Sequence, residues 1–210
     1  MQKESVVIYK DNGDGTYNWG LYYPNAINDA TNMCSGNTAM TSFDWGTADT
    51  SSLTGLSSSF KDCGGLTSMP SIPSNVTEIG DYTFYNCRNM NNGGTIEIPE
   101  GVQRIGNEAF YSVFDDNSKN LKLPSTLNYV GRASFLNKNH LSDLYINDLS
   151  SFCKINFNTW LSIVTTIRLV PINNPIFLFF ITINKIKVND SKQVALPNQV
   201  IILKIGVTES

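Results

Sequence analysis

The residues with the most chemical potential lie near the N-terminus, where Asp11-Asn12-Gly13-Asp14-Gly15 crowds side-chain oxygens around two glycines. Hard cations such as calcium require several oxygen ligands in a tight loop. An EF-hand register with Gly15 at its sixth position would run from Lys10 to Leu21, however, and it needs an acid at both. The segment reads instead as the turn of a β-hairpin, flanked by Val6-Val7-Ile8-Tyr9 and Tyr17 to Tyr23. His140 is the only histidine and sits in a polar stretch, which removes a His-rich metal site and most imidazole-based catalysis. Serines are abundant, but no G-x-S-x-G elbow occurs and nothing places a serine beside His140. Asp115-Asp116 reads as a solvated loop. The two glycosylation-type triplets, at Asn75 and Asn189, are short enough to arise by chance. No catalytic residue, cofactor or metal site is expected.

What must position these residues is an internal repeat. IPSNVTEIGDYTFYNC from Ile72, IPEGVQRIGNEAFYSV from Ile98 and LPSTLNYVGRASFLNK from Leu123 share one phrase. Pro73, Pro99 and Pro124 each precede an aliphatic by three residues; Ile79-Gly80, Ile105-Gly106 and Val130-Gly131 follow, then Phe84, Phe110 and Phe135. The nearly constant step between these phenylalanines is a solenoid period, too short for a unit to bury its own core. Upstream, Phe60, Cys63, Leu66 and Met69 continue the register, and a weaker series, Cys34, Asn37, Met40 and Phe43, precedes it by one further period. Cys63 and Cys87 then fall at equivalent positions, where ladder geometry points both side chains the same way, so buried free thiols are expected and not a bridge.

Each position has an expected task. Proline ends a strand and turns the chain outward. Alternation puts Ile96, Ile98, Leu121, Leu123, Leu144 and Ile146 inward, and Glu97, Lys122 and Tyr145 toward solvent. The glycine is expected to permit a tight bend where a side chain would clash or force positive φ. The G-x-x-A/T-F phrase is expected to form a short helical turn whose phenylalanine fills the core.

This phrase resembles the BspA-type bacterial surface leucine-rich repeat family over Phe60 to Ile146, and Asp143 to Phe157 is similar to a loop such proteins place between repeats. The resemblance implies a right-handed leucine-rich repeat solenoid, a cell-surface or extracellular location, and adhesion or protein binding without enzyme activity.

The expected fold is an α/β solenoid: a β-hairpin N-terminal cap over residues 1–31, leucine-rich repeats of short parallel strands with helical or irregular turns over 32–150, and degenerate repeats or a truncated cap over 151–210. Within this last part, residues 160–184 lose the glycine and phenylalanine landmarks, and Gly206 lies nine residues after Pro197 where the clear copies have seven.

Lys plus Arg total 15 against 18 for Asp plus Glu, with no basic block, so nucleic-acid binding by phosphate neutralisation has no footprint. The N-terminus lacks a secretory apolar run, and no stretch reaches the length of a membrane span. The expected partner is a protein, such as a host extracellular protein. Glu97, Lys122 and Tyr145 form the expected contact row, with Tyr145 its anchor. A structural spacer within a larger surface or virion-associated protein is the alternative.

Overall fold

The computed structural model describes residues 6–22, 26–91, 94–113, 119–136, 141–147, 149–152, 154–158, 167–171 and 179–181. Strand β1 (Val6–Asp11) pairs antiparallel with β2 (Tyr17–Tyr22), and β2 lies parallel to β3 (Met40–Asp44). Beyond it the chain alternates between two sheets. Along it come β4 (Glu78–Ile79), β5 (Thr95–Glu97), β6 (Arg104–Ile105), β7 (Lys119–Leu123), β8 (Tyr129–Val130) and β9 (Leu141–Ile146), then α1 (Leu149–Phe152), β10 (Asn156–Phe157), β11 (Ile167–Pro171) and β12 (Phe179–Ile181). The two-residue strands stack in parallel as β4-β6-β8-β10, and the longer ones as β5-β7-β9-β11, with β12 antiparallel on β11. The result is a parallel β-solenoid of about five turns with little helix. Parallel pairing begins early in the chain, with bridges Ala26↔Asp49 and Asp29↔Gly55.

The interior is a set of columns. Phe60, Phe84 and Phe110 are fully buried and Phe135 nearly so, with successive ring centroids 5.5, 5.2 and 5.4 Å apart. The column ends at Phe43, edge-on to Phe60 at 5.1 Å. Backbone bonds from Cys34 to Ser59 and from Phe60 to Thr83 place Cys34 at the phenylalanine position of its own coil, so a thiol replaces the ring there and Phe43 fills the space. The six inward strand residues anticipated from alternation are all buried. Each proline carbonyl accepts from the amide three residues on (Val76, Val102, Leu127), forming the turn that carries the chain from one sheet to the next.

One expectation fails in the segment between the sheets. The G-x-x-A/T-F phrase is not helical: among the described residues the only helix is α1. Alternate amides instead leave the coil. Ser58, Phe60 and Asp62 donate to Asp81, Thr83 and Tyr85 at 2.9, 3.0 and 2.8 Å, while Ser59, Lys61 and Cys63 donate three residues back. The next coil repeats this from Tyr82, Phe84 and Asn86 to Asn107, Ala109 and Tyr111. Such hydrogen bonding satisfies every second amide between coils, which a helix cannot do. It requires left-handed residues four apart, Ser58 and Asp62, Tyr82 and Asn86, Glu108 and Ser112.

The glycine stands where a side chain would clash, one of the two reasons expected for it, and not where φ is positive. Gly80, Gly106 and Gly131 do not have positive φ. A Cβ on Gly106 would stand 2.5 Å from Asp81 N and 2.6 Å from Gly80 C, and one on Gly131 would stand 2.6 Å from both Asn107 N and Gly106 C. The column is glycine because adjacent coils touch backbone to backbone.

A buried hydroxyl column runs beside the rings. Ser59 Oγ lies 2.7 Å from Leu56 O and 2.8 Å from Ala30 O; Thr83 Oγ1 lies 2.8 Å from Gly80 O and 2.9 Å from Leu56 O. Ser134 Oγ likewise reaches Gly131 O and Gly106 O. Ala109 interrupts the column. Ala109→Ser is expected to stabilise the fold by about 0.5–1.5 kcal/mol, because the new hydroxyl meets a carbonyl three residues back and one on the preceding coil. Urea denaturation measures this, and an unchanged or lowered midpoint contradicts it.

Candidate interaction surface

Parallel register decides which exposed residues meet. Glu97 pairs with Lys122, Lys122 with Tyr145, and Tyr145 with Val170, so the three residues singled out in the sequence occupy one outward row across β5, β7 and β9. Inward neighbours Ile96, Leu121 and Leu144 hold each strand down. The Lys122 ammonium is ion-paired with the Glu97 carboxylate, with 31% and 59% of the side chains exposed. That pairing leaves both charges partly occupied and contributes at most about 1 kcal/mol. Tyr145 is half-buried beside them.

A second outward row follows the two-residue strands: Glu78, Arg104, Tyr129 and Asn156 pair in order. The Arg104 guanidinium lies 4.1 Å from the Tyr129 ring centroid and its Nε 3.5 Å from Glu78. Asn158 Nδ2 donates to the Tyr129 hydroxyl at 3.1 Å. A recess bounded by Leu123, Pro124, Ile146, Phe152 and Ile155 encloses about 10 Å³, the space of a single water. Sites for small molecules run to about 300–1,000 Å³.

Residues 56–169 match the BspA type leucine-rich repeat region in six copies, more than half of the chain. The chain belongs to this family. Among solved structures, the BspA-type array is similar to a leucine-rich repeat protein from Bacteroides ovatus ATCC 8483, at 16% identity and TM-score 0.45, over 76% of this chain and 52% of that one. It is also similar to the T. pallidum leucine-rich repeat protein TpLRR, at 16% identity and TM-score 0.45, over 72% of this chain and 78% of that one. The chain thus spans about half the length of the Bacteroides ovatus protein. No curated protein matches.

In this BspA-type chain the acidic loop acts as a turn. Asp11 Oδ1 accepts the Gly13 amide at 2.8 Å, and Asp14 Oδ1 accepts the Thr16 amide at 3.0 Å together with the Thr16 hydroxyl. Those bonds, the Thr16 side chain's first, hold the Asp14 carboxyl below its usual pKa. Among the described residues no group of three or more His, Cys, Asp or Glu side chains is placed to hold a metal ion. Cys34, Cys63 and Cys87 form no disulfide; Cys63 Sγ donates to Cys34 O and Cys87 Sγ to Phe60 O, both at 3.0 Å. Burial pushes Cys34 up to about 12 and Cys63 up to about 11, so both stay protonated and unreactive at neutral pH. His140, Cys153, Asp115-Asp116 and the proline-glycine copy at Pro197 lie outside the described residues.

Sequence reasoning missed the face between the two sheets. The residues that follow the buried phenylalanines, Lys61, Tyr85 and Tyr111, stack outside the core, with the tyrosine rings 5.0 Å apart and nearly parallel. Tyr82 meets Tyr85 at 5.8 Å. The signal was present in the aligned copies, one position after each phenylalanine, but the residue types vary there and no single copy advertises it.

Proposed function

We propose that this chain is a non-enzymatic protein-binding module of a leucine-rich repeat surface protein, acting in adhesion at the cell surface or outside the cell. The observation that carries this reading is the in-register row Glu97, Lys122 and Tyr145, held by buried neighbours on a sheet that repeats from coil to coil. A stacked sheet offers an extended, stiff face suited to an extended partner, and its fixed backbone reduces the ordering cost of binding. Tyr145 is the anchor, since a half-buried tyrosine adds large contact area at small entropic cost. The partner class is protein, with host extracellular proteins the first to test. Residues 1–31 serve as an end cap, 32–150 as the repeats that carry the contact face, and 151–210 as degenerate repeats or a cap. Among the described residues no helix is long and apolar enough to cross a membrane.

Immobilised host extracellular proteins, screened for capture of the chain and of its Tyr145→Ala variant, test the proposal. Truncating an interface anchor removes about 2 kcal/mol or more, so capture by a true partner should weaken roughly thirtyfold. Unchanged capture by the variant removes Tyr145 from the contact.

A further inference from the structure

The face between the sheets carries a feature with its own recognition chemistry. Lys61 Nζ sits 5.5 Å from the Tyr82 centroid and 5.6 Å from that of Tyr85, so this cluster already holds a cation, supplied by the chain itself. Tyr82 takes part from a left-handed backbone position with φ of 58°. A bulky residue there is strained, and glycine or asparagine would satisfy the turn with less cost. Tyrosine at that position contributes the third ring of the cluster. Three half-buried tyrosines thus lie together on two adjacent coils.

Carboxylates border the rings. Asp62 follows Lys61 in the chain and accepts from Asn86 Nδ2 at 2.9 Å, and Glu108 lies on the next coil but one, paired at 3.0 Å with Arg132 of the coil after that. The Tyr85 phenol is held above its ordinary pKa, by burial first, then by Tyr111, Glu108 and Asp62. Asp62 and Glu108, the carboxylates whose charge acts on that hydroxyl, disfavour an anionic ligand and favour a cationic one. The faces of the rings attract the same sign of charge.

We propose that Tyr82, Tyr85 and Tyr111, bordered by Asp62 and Glu108, form a docking patch for arginine side chains of a basic partner segment, with Lys61 as the built-in cation that such an arginine displaces. Arginine suits the patch better than lysine, because a planar guanidinium stacks on aromatic rings and donates at once to phenol and carboxylate oxygens. The proposal rests on the reading of the array as a protein-binding module and adds a second face to it, separate from the strand row.

Fluorescence anisotropy of a labelled hexa-arginine peptide, titrated with the full 210-residue chain, tests it, with hexa-lysine, hexa-glutamate and a glycine-serine peptide as comparisons. Hexa-arginine should bind best and hexa-glutamate should not bind. Tyr111→Leu, checked for folding by circular dichroism, should weaken hexa-arginine about fivefold through loss of one ring. Lys61→Ala, a change outside the core, should tighten it by a similar factor. Equal affinity in Tyr111→Leu and the natural sequence, weaker binding by Lys61→Ala, or a preference for hexa-glutamate overturns the patch. Tyr145→Ala should leave hexa-arginine binding unchanged while it weakens capture by proteins that use the strand row, so the two faces fail or survive separately.

Discussion

Replacing Phe84 by alanine is expected to cost about 3–5 kcal/mol, enough to unfold a domain of ordinary stability at physiological temperature. Phe84 has no exposed surface and lies between two rings, 5.5 Å from Phe60 at an interplanar angle of 4° and 5.2 Å from Phe110. Truncation therefore opens a cavity and breaks two ring contacts, and the rigid hydrogen bonding on either side prevents the coils from closing over the gap. In a solenoid each coil contacts only its neighbours, so the damage divides the stack. Phe84→Ala and Phe110→Ala combined should fall short of additivity, since they share one contact and one enlarged cavity. Urea denaturation followed by far-UV circular dichroism gives the values. A loss below about 1 kcal/mol for Phe84→Ala would mean that the rings do not form one packed column.

The column was readable because a solenoid turns sequence period into spatial adjacency. Once phenylalanines recur at a nearly constant step and strands alternate, parallel register follows. That is why Glu97, Lys122 and Tyr145 could be placed in one row from the sequence, and why the weak Cys34 series was recognisable although a cysteine stands where the ring should be. The family assignment was legible on the same residues.

The turn segment was not readable, for a physical reason. Its conformation is set by hydrogen bonds to the next coil, from Tyr82 to Asn107 and from Glu108 to Arg132, and not by local preference. Tyr82, Glu108 and Ala133 adopt φ of 58°, 53° and 53°, values that none of these residue types favours. Local propensity therefore suggested a helical turn that tertiary pairing excludes. The tyrosine cluster went unseen for the same reason: Tyr82 joins it only because of that left-handed turn.

Gly106→Ala is expected to be as damaging as the loss of a core ring, at about 3 kcal/mol or more, although it adds a single carbon to a residue with ordinary φ. The added Cβ would fall within 2.6 Å of three atoms of the preceding coil, Asp81 N, Asp81 Oδ1 and Gly80 C, two of them backbone. Side chains can move aside from such an approach, but these backbone atoms are fixed by coil-to-coil bonds, such as Gly106 to Ile79 O at 2.8 Å and Asn107 to Asp81 Oδ1 at 2.6 Å. Relief requires the coils to separate, which lengthens those bonds and loosens the phenylalanine column beside them. Gly64→Ala is the matched comparison, because a Cβ there meets nothing within 4 Å and the backbone has ordinary φ. That change should leave stability unaltered or raise it by about 0.4–1 kcal/mol, through the smaller conformational freedom of the unfolded chain. If glycine were needed at 106 only for a flexible bend, the two substitutions would cost similar amounts. A difference of about 3 kcal/mol between their unfolding free energies instead assigns the glycine column to close packing of backbone on backbone. That packing is the feature that lets such short turns stack closely enough to share one core.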